Sequence, residues 1–149
     1  MKKIILFAGL ISIFSSVAHS ELRWETDLEK AKLRSENENK PLFIIFVGSD
    51  WCPWCKKFNT EIINTPQFDQ YAHNKLVLLK CDFPKHSKID ELELIQNSLL
   101  KDQYGINGFP SVVVLGASGS QIMRMGYQKG GPDSFLVSLD TTVQKYGKN

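Results

Sequence analysis

Cys52 and Cys55 are separated only by Pro53 and Trp54, in the stretch Ser49-Asp50-Trp51-Cys52-Pro53-Trp54-Cys55-Lys56-Lys57. Two thiols at this spacing can hold a metal, close a structural disulfide, or cycle between dithiol and disulfide. A structural zinc site needs four ligands, commonly two such pairs or one pair with nearby histidines. Cys81, His73 and His86 have no pairing spacing, and the two histidines read as surface residues. A structural disulfide between residues this close closes a tiny loop and gains little chain entropy. A redox dithiol fits the setting better. An apolar run precedes the pair and a helical pattern follows it, so Cys52 falls at a helix N-terminus. Free N–H groups and the helix dipole stabilise a thiolate there. Pro53 suits the first turn, because its missing N–H is not needed. Cys55 then points inward one turn later.

The elements that position this pair follow from the apolar pattern. Leu42 to Val47 is continuously apolar and too short for a helix, which suits a strand buried on both faces. Leu76 to Asp82 is a second strand of that type. Ser111 to Leu115 is a third, and Gly116-Ala117-Ser118-Gly119 reads as a hairpin turn into a fourth, Gln121 to Tyr127. Leu22 and Trp24 read as an apolar lead-in to a surface helix from Asp27 to about Glu38, with Thr26 and Glu29 as a capping box and Pro41 as the stop. Further helices are expected from Pro53 to Ile63, as a short turn through Phe68 and Tyr71, from Lys88 to Tyr104, and from Pro132 onward along Phe135, Leu136, Leu139 and Val143. Gly105 ends the helix from Lys88 to Tyr104. Alternation followed by a hairpin implies an α/β domain. Its central mixed sheet has about four strands, mostly parallel with an antiparallel edge, and helices on both faces.

Residues 1–20 read as a signal peptide rather than as part of that domain. Lys2 and Lys3 give a positive start, Ile4 to Val17 is apolar, and Ala18-His19-Ser20 offers small residues at the cleavage positions. The run is shorter than the ~20 residues of a spanning helix. Removing it takes the basic count from 18 to 16, level with the 16 acids. The domain then spans residues 21–149 with no basic stripe, which argues against a nucleic-acid partner. Export places the cysteines outside a reducing cytosol. With three cysteines, at least one is outside any intramolecular disulfide. Cys81, on a buried strand, reads as a small core hydrophobe.

The chain resembles the thioredoxin superfamily over nearly all of residues 21–149. The resemblance rests on Trp51-Cys52-Pro53-Trp54-Cys55-Lys56 and on Tyr104-Gly105-Ile106-Asn107-Gly108-Phe109-Pro110-Ser111 followed by a strand and hairpin. Gly126 before the last helix adds to it. Glu29-Lys30-Ala31-Lys32 through Asn39-Lys40-Pro41, leading into Phe43 to Val47, is similar to the small secreted or periplasmic branch. The chain is also similar to the C-terminal thioredoxin-like domain of the membrane reductant DsbD. The resemblance implies a thioredoxin-like fold with Cys52 as nucleophile, Cys55 as resolving thiol and no cofactor beyond the Cys52–Cys55 disulfide. It makes Pro110 a cis-proline facing the dithiol, beside which an extended substrate segment pairs with the backbone. Trp51, Pro53, Trp54, Phe109 and Pro110 become substrate-contact candidates, with Trp54 exposed between the cysteines. The family's buried Asp, six positions before the first cysteine, is replaced by Phe46. Asp50, Glu61 and Lys56 are the remaining candidates for the proton route of Cys55.

Strong oxidants and isomerases of the family carry His before the second cysteine, whereas this chain has Trp54, which offers no charge. The expectation is therefore a reductase-leaning thiol:disulfide oxidoreductase acting on exported proteins, as a monomer, with electrons from a DsbD-like membrane donor. An oxidase or isomerase is the alternative within the same enzyme class. A non-catalytic thioredoxin-fold module that binds clients or handles metal is the alternative outside it.

Overall fold

The apolar run Leu42–Val47 forms the central strand, β2, and all six of its residues are buried. The structure is a computed structural model in which residues 21–146 are described. The signal-peptide expectation lies outside the described residues. On one side β2 pairs in parallel with β3 (Val77–Asp82), and β3 pairs in parallel with β1 (Trp24–Glu25). On its other side β2 pairs antiparallel with β4 (Ser111–Leu115), which carries β5 (Gln121–Gly126) as an antiparallel edge. The sheet order is β1-β3-β2-β4-β5. It has five strands rather than about four. Its two halves differ in sense, so the sheet is evenly mixed rather than mostly parallel. The additional strand, β1, has two residues. A segment so short leaves no alternation to read and is defined by its partner alone.

The helices form where local chemistry starts and stops them. α1 (Leu28–Glu38) is capped by Asp27, whose carboxylate accepts the Lys30 N–H at 3.0 Å. The expected box on Thr26 is therefore displaced by one residue. Asn39 ends α1 in the left-handed region at φ 48°, and Lys40 N–H returns to Ser35 O at 3.0 Å. This Schellman-type closure stops the helix before Pro41 is reached. α2 (Pro53–Phe58) runs on without a break into a π-helical turn, Asn59–Ile63. α3 (Pro66–Lys75) is a full helix rather than a short turn, capped by the Thr65 hydroxyl, which accepts the Phe68 N–H. α4 (Glu91–Gln103) starts at Asp90, and α5 (Gly131–Tyr146) closes the chain.

Side chains alternate across a strand, and β2 feeds two separate cores. Phe43, Ile45 and Val47 join Phe58, Phe68 and Phe135 beneath α2, α3 and α5. Leu42, Ile44 and Phe46 join Ala31, Leu100 and Ile106 beneath α1 and α4. Edge-on ring contacts at 5.6 Å between Phe43 and Phe68 and 5.4 Å between Phe58 and Phe135 fix the floor under α2. Both cysteines of the motif belong to the first core and Phe46 to the second. Phe46 is therefore not behind the dithiol, and a carboxylate at its position faces apolar side chains across the sheet. Phe46→Asp is expected to cost about 3–5 kcal/mol through lost packing and a buried, unpaired acid. Urea unfolding measures this, and a midpoint equal to wild type would contradict the assignment of Phe46 to the second core.

Candidate active site

Cys52 and Cys55 form a disulfide, with Cα atoms 5.2 Å apart. Both are only 4 % exposed. Cys52 is the N-cap of α2, with extended backbone at φ −85° and ψ 109°. Its own N–H donates to Gly48 O at 2.9 Å, and its Sγ accepts the Cys55 N–H at 3.2 Å. A backbone donor aimed at sulfur favours the thiolate once the bond is reduced. The opposite influence comes from Phe109, whose carbonyl oxygen lies 3.7 Å from Cys52 Sγ. An oxygen there accepts from a thiol and repels a thiolate. The Phe109–Pro110 peptide bond is cis. Pairing of Phe46 with Ser111 brings this dipeptide to the end of β2 from which the Cys52 loop departs. A Cβ added to Gly126 would stand 3.2 Å from Pro110 O, so β5 closes against the proline backbone.

Aromatic side chains build two walls beside the sulfurs. Trp51 is partly buried, and its indole N–H donates to Phe83 O at 2.8 Å. Phe109 packs edge-on to Trp51 with ring centres 6.0 Å apart, and stacks on Phe83 at 5.1 Å. The indole also covers Gly48, where an added Cβ would fall 2.4 Å from the ring. Any side chain at Gly48 therefore displaces Trp51. The second wall is Trp54, 54 % exposed, with Tyr127 5.6 Å away. The Tyr127 hydroxyl donates to Glu61 at 2.5 Å, and this bond makes Tyr127 hold its proton more tightly than an ordinary phenol. Pro53 is exposed, and Phe109 and Pro110 are half-buried. The five substrate-contact candidates thus lie around the disulfide, while Gly48, Phe83 and Tyr127 join them without a motif to mark them.

Below Cys55 a cavity of about 220 Å³ opens between α2 and the sheet, lined by Ile45, Val47, Ser49, Lys56 and Lys80 among others. Lys80 Nζ lies 3.3 Å from Asp82, and the Ser49 hydroxyl donates to the same carboxylate at 2.6 Å. Of the sequence candidates for the proton route, Lys56 lines this cavity. Asp50 and Glu61 are engaged elsewhere. Cys81 is free and fully buried in the second core, and burial pushes its thiol up to about 12. His73 and His86 are exposed.

Asp50 turns away from the sulfurs to the loop after β3. Its carboxylate accepts the N–H groups of Lys85, His86 and Ser87 at 2.9, 2.7 and 2.9 Å. These bonds, that from Lys85 first, hold its pKa well below the usual carboxylate range. A depressed folded value means that the stabilisation is complete above the unfolded value of about 3.9 and is lost as pH falls below it. Asp50→Asn is therefore expected to lower the urea midpoint at pH 7 and to show a smaller deficit near pH 2, with the remainder lost only as pH falls through the folded value. A deficit of equal size at both pH values would contradict this linkage.

The sequence matches the family described as Thioredoxin-like over residues 23–117. It is 33 % identical over 128 residues to a protein of Chlamydia pneumoniae called "Disulfide bond reductase DsbH", covering 86 % of this chain and 76 % of that one. A solved structure called "DsbH Oxidoreductase" superposes with a TM-score of 0.81 at 30 % identity, covering 93 % and 95 % of the two chains. The reduced C-terminal domain of Neisseria meningitidis DsbD shares the fold, with a TM-score of 0.61 at 20 % identity over 80 % of this chain and 99 % of that one. With its paired cysteines at the start of α2, the chain belongs to the thioredoxin-like family, as a thiol–disulfide oxidoreductase.

Proposed function

We propose that this protein reduces disulfides in exported proteins, with Cys52 as nucleophile and Cys55 as resolving thiol. The observation that carries the roles is the N-cap geometry, in which Cys52 Sγ accepts the Cys55 N–H and so is the sulfur whose anion is stabilised. In the reduced protein the Cys52 thiolate attacks one sulfur of a substrate disulfide. A mixed disulfide forms, and the first substrate sulfur leaves as a thiolate and takes a proton. The Cys55 thiol loses its proton and attacks Cys52 Sγ. The second substrate thiol departs, and the Cys52–Cys55 disulfide holds the two electrons' worth of oxidation. A membrane donor of the DsbD kind returns the pair to the dithiol, so no further cofactor is needed.

The direction rests on how little stabilises the Cys52 anion. Trp54 offers it no charge, and the Phe109 carbonyl opposes it. The name of the chlamydial relative, a disulfide bond reductase, agrees with that lean. Lys2, Lys3 and the apolar run Ile4 to Val17 support export. The backbone beside Phe109 and Pro110 receives an extended substrate segment, with Trp51, Pro53 and Trp54 flanking the reacting sulfur. The proton of Cys55 leaves into the cavity beneath it, toward Asp82, whose carboxylate is bonded to two residues that line the cavity, Ser49 and Lys80.

With dithiothreitol as electron source, the protein is expected to accelerate insulin reduction. Cys52→Ala should abolish that acceleration, and Cys55→Ala should accumulate a covalent adduct on Cys52, visible by intact mass. Asp82→Asn should slow resolution of the mixed disulfide by about tenfold or more at pH 7, with less deficit at higher pH. Full turnover by Cys52→Ala would remove the catalytic reading. Unchanged resolution in Asp82→Asn would move the proton acceptor elsewhere.

A further inference from the structure

Two lysines stand over aromatic rings of the walls beside the dithiol. Lys85 Nζ stands 4.0 Å from the centre of the Trp51 ring. Lys57 Nζ stands 5.6 Å from Trp54 and 5.7 Å from Tyr127. Neither lysine is left to wander. The Lys85 backbone N–H is tied to Asp50 at 2.9 Å, and Lys57 is drawn toward Glu61 at 3.6 Å. Ring faces attract ammonium groups, so both charges are kept on the outer aromatic walls of the site, where an approaching substrate segment meets them.

The carboxylates in these contacts are bonded within the protein and keep their charge. Asp50 accepts three backbone N–H groups and the Ser87 hydroxyl. Glu61 accepts the Tyr127 hydroxyl and meets Lys57 in a half-exposed pair, the kind that water screens strongly. Lys56 and Lys88 are also exposed on the segments that bear Lys57 and Lys85. The full chain carries a formal charge of only +2. Residues 56–61 and 85–88, with Asp50, thus carry four lysines against two carboxylates, a local excess of positive charge on a nearly neutral protein that steers what approaches.

We propose that this charge selects acidic substrate segments, those carrying a carboxylate on each side of the disulfide-bonded cysteine. One carboxylate meets Lys85 beside Trp51 and the other meets Lys57 beside Trp54, while the rings cover the apolar parts of the segment between them. The proposal rests on the disulfide-exchange reading and adds the class of substrate to it.

The test uses three disulfide-bonded peptides of one length, flanked by Glu, Gln or Lys, with the full chain recycled by dithiothreitol. Each rate is divided by that of the same peptide with dithiothreitol alone, which removes intrinsic differences in reactivity. The Glu-flanked peptide is expected to have kcat/KM about tenfold above the Gln-flanked one at low salt, and this margin should shrink at about 0.5 M NaCl. Lys57→Gln with Lys85→Gln should bring the ratio near one, and Lys57→Glu with Lys85→Glu should favour the Lys-flanked peptide. Turnover of all three peptides at one corrected rate would overturn the proposal and leave the exchange reading intact. A preference that survives the Gln double variant also overturns it. No turnover of any peptide removes the exchange reading, and the proposal with it.

Discussion

Everything at the dithiol depends on β2 lying between β3 and β4. β3 runs parallel to β2, so the chain leaves both strands at the same edge of the sheet. β4 runs antiparallel, so the chain enters it at that edge. Three segments distant in sequence therefore meet there. The Gly48–Cys52 turn comes from β2, the Phe83–Ser87 loop from β3, and Phe109–Pro110 precedes β4. Complete burial of β2 makes this arrangement costly to disturb. A one-residue slip in register would turn every β2 side chain to the other face.

Side-chain bonds then lock the three segments together. Asp50 ties the turn to the backbone of residues 85–87, and Trp51 bonds Phe83 O. Phe83 stacks on Phe109, which closes the circuit back to the proline loop. Gly48 permits this, because its missing side chain is the space the Trp51 indole occupies. The sulfur chemistry inherits the result. Cys52 Sγ has one backbone donor, from Cys55, and one backbone acceptor, from Phe109. Both are fixed by the fold rather than by flexible side chains.

The cysteine pair, the buried strands and the helix after Pro53 were legible because each is written in adjacent residues. The proline loop was legible through its resemblance to the superfamily. The remainder depends on contacts that adjacency cannot encode. Tyr127 reaches Glu61 across 66 positions, and Trp51 reaches Phe83 across 32. β1 exists only through its pairing with β3. The cap of α1 fell on Asp27 rather than Thr26 because two adjacent residues had suitable side chains and backbone geometry chose between them. Phe46 illustrates a different limit. Its place in the count before Cys52 pointed to the site, yet strand alternation turns it to the other core, while Lys80 and Ser49 line the cavity below Cys55.

We propose that weak stabilisation of the Cys52 thiolate makes this protein a reductant. Trp54 contributes no charge, and the Phe109 carbonyl offsets the Cys55 N–H. The most direct measurement is the reduction potential of the Cys52–Cys55 pair, titrated against glutathione and read by tryptophan fluorescence or by alkylation. A value near the thioredoxin end of the range, about −270 mV, is the predicted result; a value near −120 mV, typical of a strong oxidant, would contradict the account.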